Sequence, residues 1–186
     1  MTEFVEFISG GNLILILIFT AFICLLLGMG LPTTANYIVV STLMAPVIVT
    51  LGAQNGLIVP LIAVHMFVFY FGILADDTPP VGLAAFAASA IAHSDPIRTG
   101  IQGFTYDIRT GILPFLFIFN NELLMIGIEN VWHLLVTIAS AVMAMLMFAA
   151  ATQGFFVVRS RWWETLAILL ISFTLFRPGF WWDMVY

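Results

Sequence analysis

The chain contains no lysine, only five arginines and a single cysteine among its 186 residues. Without lysine there is no Gly-rich phosphate loop carrying its Lys, so nucleotide hydrolysis by this chain is excluded. Five arginines set against ten acids give a formal net charge of −5, which leaves no basic patch for a phosphate backbone and removes nucleic acid as a partner. Cys24 has no second cysteine to pair with; inside an apolar run it reads as a buried, inert thiol. Charged residues of both signs amount to 8%, where soluble domains carry about a quarter.

Hydrophobic residues make up 62% of the chain. No Asp, Glu, Lys or Arg occurs from Phe7 through Ala75, nor from Asn130 through Val158. A membrane crossing needs roughly 20 apolar residues, so the first stretch alone holds two or three. A soluble fold would have to expose such stretches as aggregating patches. The expected fold is therefore an all-α integral membrane protein of about five to seven hydrophobic helices, broken and re-entrant segments included.

Along the chain, residues 1–11 form a lead-in. Glu3 and Glu6 stand where a cleaved leader would be positively charged, and the next apolar run exceeds an h-region, so no cleavage is expected. The start resembles one placed inside a longer reading frame. Residues 12–51 read as a broken helix, interrupted at Gly28-Met29-Gly30-Leu31-Pro32 and carrying Pro46 as an expected kink. After the polar turn Gln54-Asn55-Gly56, residues 57–74 form a span. Asp76-Asp77-Thr78-Pro79-Pro80 breaks it, and the alanine-rich arm 81–92 is too short to cross. Residues 95–110 place apolar side chains at helical spacing among Asp95, Arg98, Asp107 and Arg109, the pattern of an interfacial helix. Spans follow at 111–126 and 131–158. Residues 159–186 add a final helix between the pairs Trp162-Trp163 and Trp181-Trp182, which read as interfacial anchors. Arginine bias puts Arg98, Arg109, Arg159 and Arg161 in the cytoplasm and Glu122 and Glu129 outside, while Arg177 disagrees unless it snorkels.

Two interruptions so close in sequence are the places where chemistry can sit. Freed backbone groups survive in hydrocarbon only if protein or a watery cavity receives them. At the first, Gly28, Gly30, Pro32, Thr33, Thr34 and Asn36 offer either a binding element or, through Thr33 or Thr34, an ordinary helix cap. At the second, Asp77, Thr78, Pro79, Pro80 and Gly82 are open to two readings. The acids are either solvated at the headgroups or functional at membrane depth, with Asp77 able to cap the half-helix that follows. His65, alone on an apolar helix, reads as a hydrogen-bonded packing residue. No zinc site, nucleophile elbow or triad is spelled out, Ser94 beside His93 and Asp95 being a loop cluster, and no catalytic set is expected.

The segments GMGLPTTANYIVV, HMFVFYFGILADDTPPVGLAAFAASAIA and DPIRTGIQGFTYDIRTGILPFLFIFN together resemble the large permease of tripartite ATP-independent periplasmic (TRAP) transporters, in particular the C-terminal portion of the fused TAXI-type permease. The resemblance covers about residues 12–130, and residues 162–186 look like a C-terminal extension of such permeases. It implies an elevator-type fold, of which this chain would be the second inverted repeat, in a multi-pass protein of the bacterial inner membrane. It implies sodium-coupled uptake of an organic solute, commonly an anion, delivered by a periplasmic solute-binding protein. Gly28, Gly30, Pro32, Thr33, Thr34 and Asn36 match one broken element of that repeat; Thr78, Pro79, Pro80 and Gly82 match the other. Na+, the only cofactor implied, is expected near Thr33, Thr34 and Thr78, with no covalent group. The partners implied are the lipid bilayer, the binding protein and a remaining permease portion carrying the first repeat. The alternative is a truncated or structural membrane fragment that transports nothing by itself.

Overall fold

The computed structural model describes residues 10–79, 82–107, 110–128, 130–156 and 158–176. The regular elements of the described residues are helices apart from one ribbon of two two-residue strands. They belong to two compact units, Met1–Phe119 and Asn120–Tyr186.

In the first unit, α1 (Leu13–Gly28) starts at Asn12, whose side-chain oxygen accepts the N–H groups of Ile14 at 3.0 Å and Leu15 at 3.4 Å, satisfying two orphan donors of the first turn. Its buried face is Leu13, Ile16, Leu17, Thr20, Ala21, Cys24 and Gly28. The opposite face shows Ile14, Ile18 and Phe22 outward. A helix apolar all round, half of it unburied by protein, has lipid as its natural surrounding. After the break come α2 (Thr33–Gln54), which runs on through Pro46, and α3 (Leu61–Ala75). These three helices pack on one another through a core that includes Val40, Ile48, Leu51, Val64, Phe67 and Val68.

The expected span 57–74 begins only at Leu61. Leu57 to Pro60 fold back over the end of α2, where the N–H of Leu57 donates to the carbonyl of Gly52 at 2.9 Å and a Cβ on Gly52 would lie 2.5 Å from Val59. The expected re-entrant arm is α4 (Leu83–Ala92), ten residues long, closed by His93 in the left-handed region. The expected interfacial helix is α5 (Pro96–Asp107), which buries only Gly100, against Ala85 of α4. Arg109 and Pro80 lie outside the described residues, as do Glu129, Arg177 and Trp181-Trp182.

The crossing expected over 111–126 does not form. Instead α6 (Leu113–Phe119) has seven residues, about 10 Å of rise, and is followed by a 3-10 turn at Asn121–Leu124. Met125 and Gly127 both take positive φ, 60° and 83°, and the Asn120 side chain accepts the N–H of Glu122 at 3.2 Å. Local polar and left-handed residues thus end the helix despite its apolar content. Phe115 of α6 meets Phe67 of α3 edge-on at 5.1 Å.

Two described helices are long and apolar enough to cross a membrane, α2 and α7 (Val131–Gln153). By contrast α1 and α3, with 16 and 15 residues, rise only about 24 and 22 Å, short of a hydrocarbon core of about 30 Å. Each ends at an interruption.

In the second unit, α7 closes at Gly154 (φ 64°) and turns through the ribbon β1 (Phe155–Phe156) and β2 (Val158–Arg159) into α8 (Trp162–Leu175). The fully buried Ser172 donates to the carbonyl of Ala144 at 2.7 Å, and Phe148 meets Phe173 edge-on at 6.2 Å. Ser172→Ala is expected to lower the stability of this hairpin by about 0.5–1 kcal/mol, the usual worth of an interhelical hydrogen bond in membranes. A thermal melt of the second unit's helices within the full chain measures it; no change would mean the bond is replaced on substitution.

A junction of two helix breaks as the candidate functional site

The two interruptions predicted from sequence meet. At the first, α1 ends in a tight turn in which the N–H groups of Gly30 and Leu31 both donate to the carbonyl of Leu27, at 3.1 and 3.0 Å. Pro32 is the residue before α2 and makes no side-chain cap. The Thr33 hydroxyl is not a cap either: it donates to the Asp76 carboxylate Oδ2 at 2.6 Å, across 43 residues of chain. Thr34 is exposed.

Three helices approach closely here because small residues line the contact. A Cβ on Gly28, at the end of α1, would lie 2.3 Å from the Cβ of Ala75, at the end of α3, and 2.7 Å from the Asn36 Nδ2. A Cβ on Gly72 would lie 3.7 Å from the same nitrogen. Asn36 is fully buried; its Nδ2 donates to the Cys24 carbonyl at 2.9 Å, while its Oδ1 has no partner. Such an oxygen costs about 1–3 kcal/mol unless something electropositive meets it.

At the second break, the Thr78 hydroxyl donates to the Leu74 carbonyl at 2.8 Å, finishing α3 and keeping its own lone pairs. Asp77 does not cap the half-helix. The residue before α4 is Gly82, without a side-chain cap; the Asp76 carbonyl accepts the N–H of Ala84 at 3.4 Å. Gly82 is needed because a Cβ there would stand 3.2 Å from the Asp76 oxygen and from the Asp77 carbonyl carbon. The Asp77 carboxyl does not join this junction but faces that of Asp107. Both line a cavity of about 150 Å³ with Tyr70, Ile73, Leu74 and Thr110. Pro79 packs near Gly100.

The structure therefore brings together Gly28, Thr33, Asn36 and the Gly82 backbone, and leaves Gly30, Pro32 and Thr34 at the periphery. Sequence reasoning placed Asp76 in the second break without singling it out as a site residue, and it missed Gly72. Gly72 lies on the buried side of α3 with Val64 and Val68, and the half-buried Asp76, one turn beyond Gly72, caps the helix. His65 receives the partner expected of it, the Tyr37 hydroxyl at 2.9 Å from Nδ1.

Chemically, the junction joins the C-terminal ends of α1 and α3, whose dipoles favour a cation, to the N-terminal ends of α2 and α4, which favour an anion. Broken helices meeting in this way are how secondary transporters build their sites. Residues 1–132 match the family described as the tripartite ATP-independent periplasmic transporter, DctM component. The chain belongs to this family. Its membrane-integral, transporting character is thus that of a TRAP permease. In this DctM-family chain the C-terminal residues 134–186 match a second family, a domain of unknown function (DUF3394), which takes in most of α7 as well as the tail. Neither the curated proteins nor the solved structures contain a match.

Proposed function

We propose that this DctM-family chain is the C-terminal, second-repeat portion of a fused TAXI-type permease in the bacterial inner membrane. It carries out sodium-coupled uptake of an organic anion delivered by a periplasmic solute-binding protein. The observation that carries the reading is the pairing of the two breaks through Thr33 and Asp76 beside the unpartnered, fully buried Asn36 oxygen. Asp76 supplies negative charge, Asn36 Oδ1 an acceptor with no donor, and the hydroxyls of Thr33 and Thr78 further oxygen; two helix C-termini add partial negative charge. Sodium suits this oxygen-only set. The solute's anionic group belongs at the N-terminal ends of α2 and α4, near Thr34 and Gly82, where a permease portion with the first repeat completes the wall.

The binding test uses Na+ itself. The purified full chain is melted in detergent with NaCl or with choline chloride at equal ionic strength. Sodium at 100 times its Kd is expected to add about 2.7 kcal/mol, read as a rise in Tm of several degrees with no response to choline. Identical melts in the two salts would instead favour a membrane fragment without ion-coupled transport.

A further inference from the structure

The hairpin of the second unit carries a groove that the transport reading does not use. It lies where the β1–β2 ribbon meets the first turns of α8 and is an open groove of about 670 Å³. Its lining combines apolar Phe156, Val158, Trp163 and Ile168 with charged Arg161 and Glu164. The Glu164 Oε2 accepts the backbone N–H of Arg161 at 2.8 Å, which fixes the carboxylate at the start of α8, and the groove takes in both charged residues. Large apolar side chains stand outward around this charged pair: Trp162 is 77% and Val158 70% exposed.

Depth fixes the surroundings of the groove. The 23 residues of α7 rise about 35 Å, so Gly154 and the ribbon after it emerge at the headgroup layer. Aromatic bodies with polar tips sit stably at that depth. From this charge pattern we propose that the groove binds the headgroup of a phospholipid with a primary amine, of the phosphatidylethanolamine type. The phosphate takes the Arg161 guanidinium, the ammonium takes the Glu164 carboxylate, and an acyl chain runs along Trp163 and Ile168. One cationic and one acidic lining residue complement a headgroup that carries a phosphate and an ammonium. A purely anionic headgroup meets the repulsion of Glu164, and a choline headgroup has no N–H to donate.

The test is native mass spectrometry of the purified full chain offered equal amounts of dioleoyl phosphatidylethanolamine, phosphatidylglycerol and phosphatidylcholine. The phosphatidylethanolamine adduct is expected to dominate. Arg161→Ala lowers its occupancy about tenfold, the loss of one charge-assisted contact. Glu164→Gln, which keeps an acceptor for the Arg161 N–H, removes the preference for phosphatidylethanolamine over phosphatidylglycerol. Equal retention of the three lipids by the unsubstituted chain would overturn the proposal without any variant. So would an Arg161→Ala chain of unchanged helical circular dichroism that keeps the lipid.

Discussion

Asp76→Ala is expected to abolish the sodium-dependent rise in Tm, and Asp76→Asn to abolish it while leaving the melt in choline nearly unchanged. The two differ because Asp76 has two tasks. As acceptor of the Thr33 hydroxyl at 2.6 Å it ties the start of α2 to the end of α3; alanine removes that acceptor and costs about 1.5–3 kcal/mol, as for hydrogen bonds to charged groups. Asparagine keeps an acceptor and loses only the charge. Sodium affinity is expected to fall by at least about 100-fold in both, since the carboxylate charge that joins the two breaks is removed from a half-buried setting. Melts of the two variants in NaCl and in choline chloride separate the tasks. An Asp76→Asn chain that still responds to sodium would place the ion elsewhere.

Gly28 is the second position where a large effect is expected. Its missing side chain is what lets α1 and α3 end against each other: a methyl group there would stand 2.3 Å from the Ala75 Cβ and 2.7 Å from the Asn36 Nδ2. The first of these atoms is held close to the backbone and has nowhere to go. Gly28→Val is expected to lower stability by about 3 kcal/mol or more, at or beyond the upper range of overpacking, and to remove the sodium response by displacing Asn36. Gly30 is the control within the same motif. A Cβ there would meet nothing closer than the Leu27 carbonyl at 4.0 Å, and Gly30 does not take positive φ, so Gly30→Ala is expected to change Tm little. Thermal melts of both variants decide it; equal destabilisation would mean that the glycines act through backbone flexibility, not through close approach.

The contrast between these glycines shows what could be read from residues alone. The two breaks were legible because Gly, Pro and paired acids stand out in long apolar runs, and the paired motifs carried the family resemblance. Which glycine matters was not, since close approach depends on a partner helix some 47 residues away, at Ala75. The caps left open for Thr33 and Asp77 do not form, for a related reason: a local hydrogen bond is the best option a side chain has in isolation, but Thr33 donates to Asp76 and Asp77 faces Asp107 once the helices pack.

The crossing expected over 111–126 shows the opposite error. Hydropathy was counted, and the polar Asn120 with left-handed Met125 and Gly127 was not. The arginine-based orientation assumed two spans between Arg109 and Arg159, and only α7 has the required length among the described residues. The choice between Asp76 and Asp77 was not legible: α3 is apolar on every face, so nothing in its sequence marks the side that meets Thr33.

Cysteines placed at 33 and 76, with Cys24 replaced by serine, test the meeting of the breaks in the membrane itself. The account predicts that mild oxidation of native membranes forms an intramolecular 33–76 disulfide in the full chain, detected by peptide mass spectrometry, and that neither thiol reacts with a maleimide unable to cross the bilayer unless a water-filled path reaches it. Failure to cross-link, together with rapid labelling of both cysteines at headgroup depth, would contradict it.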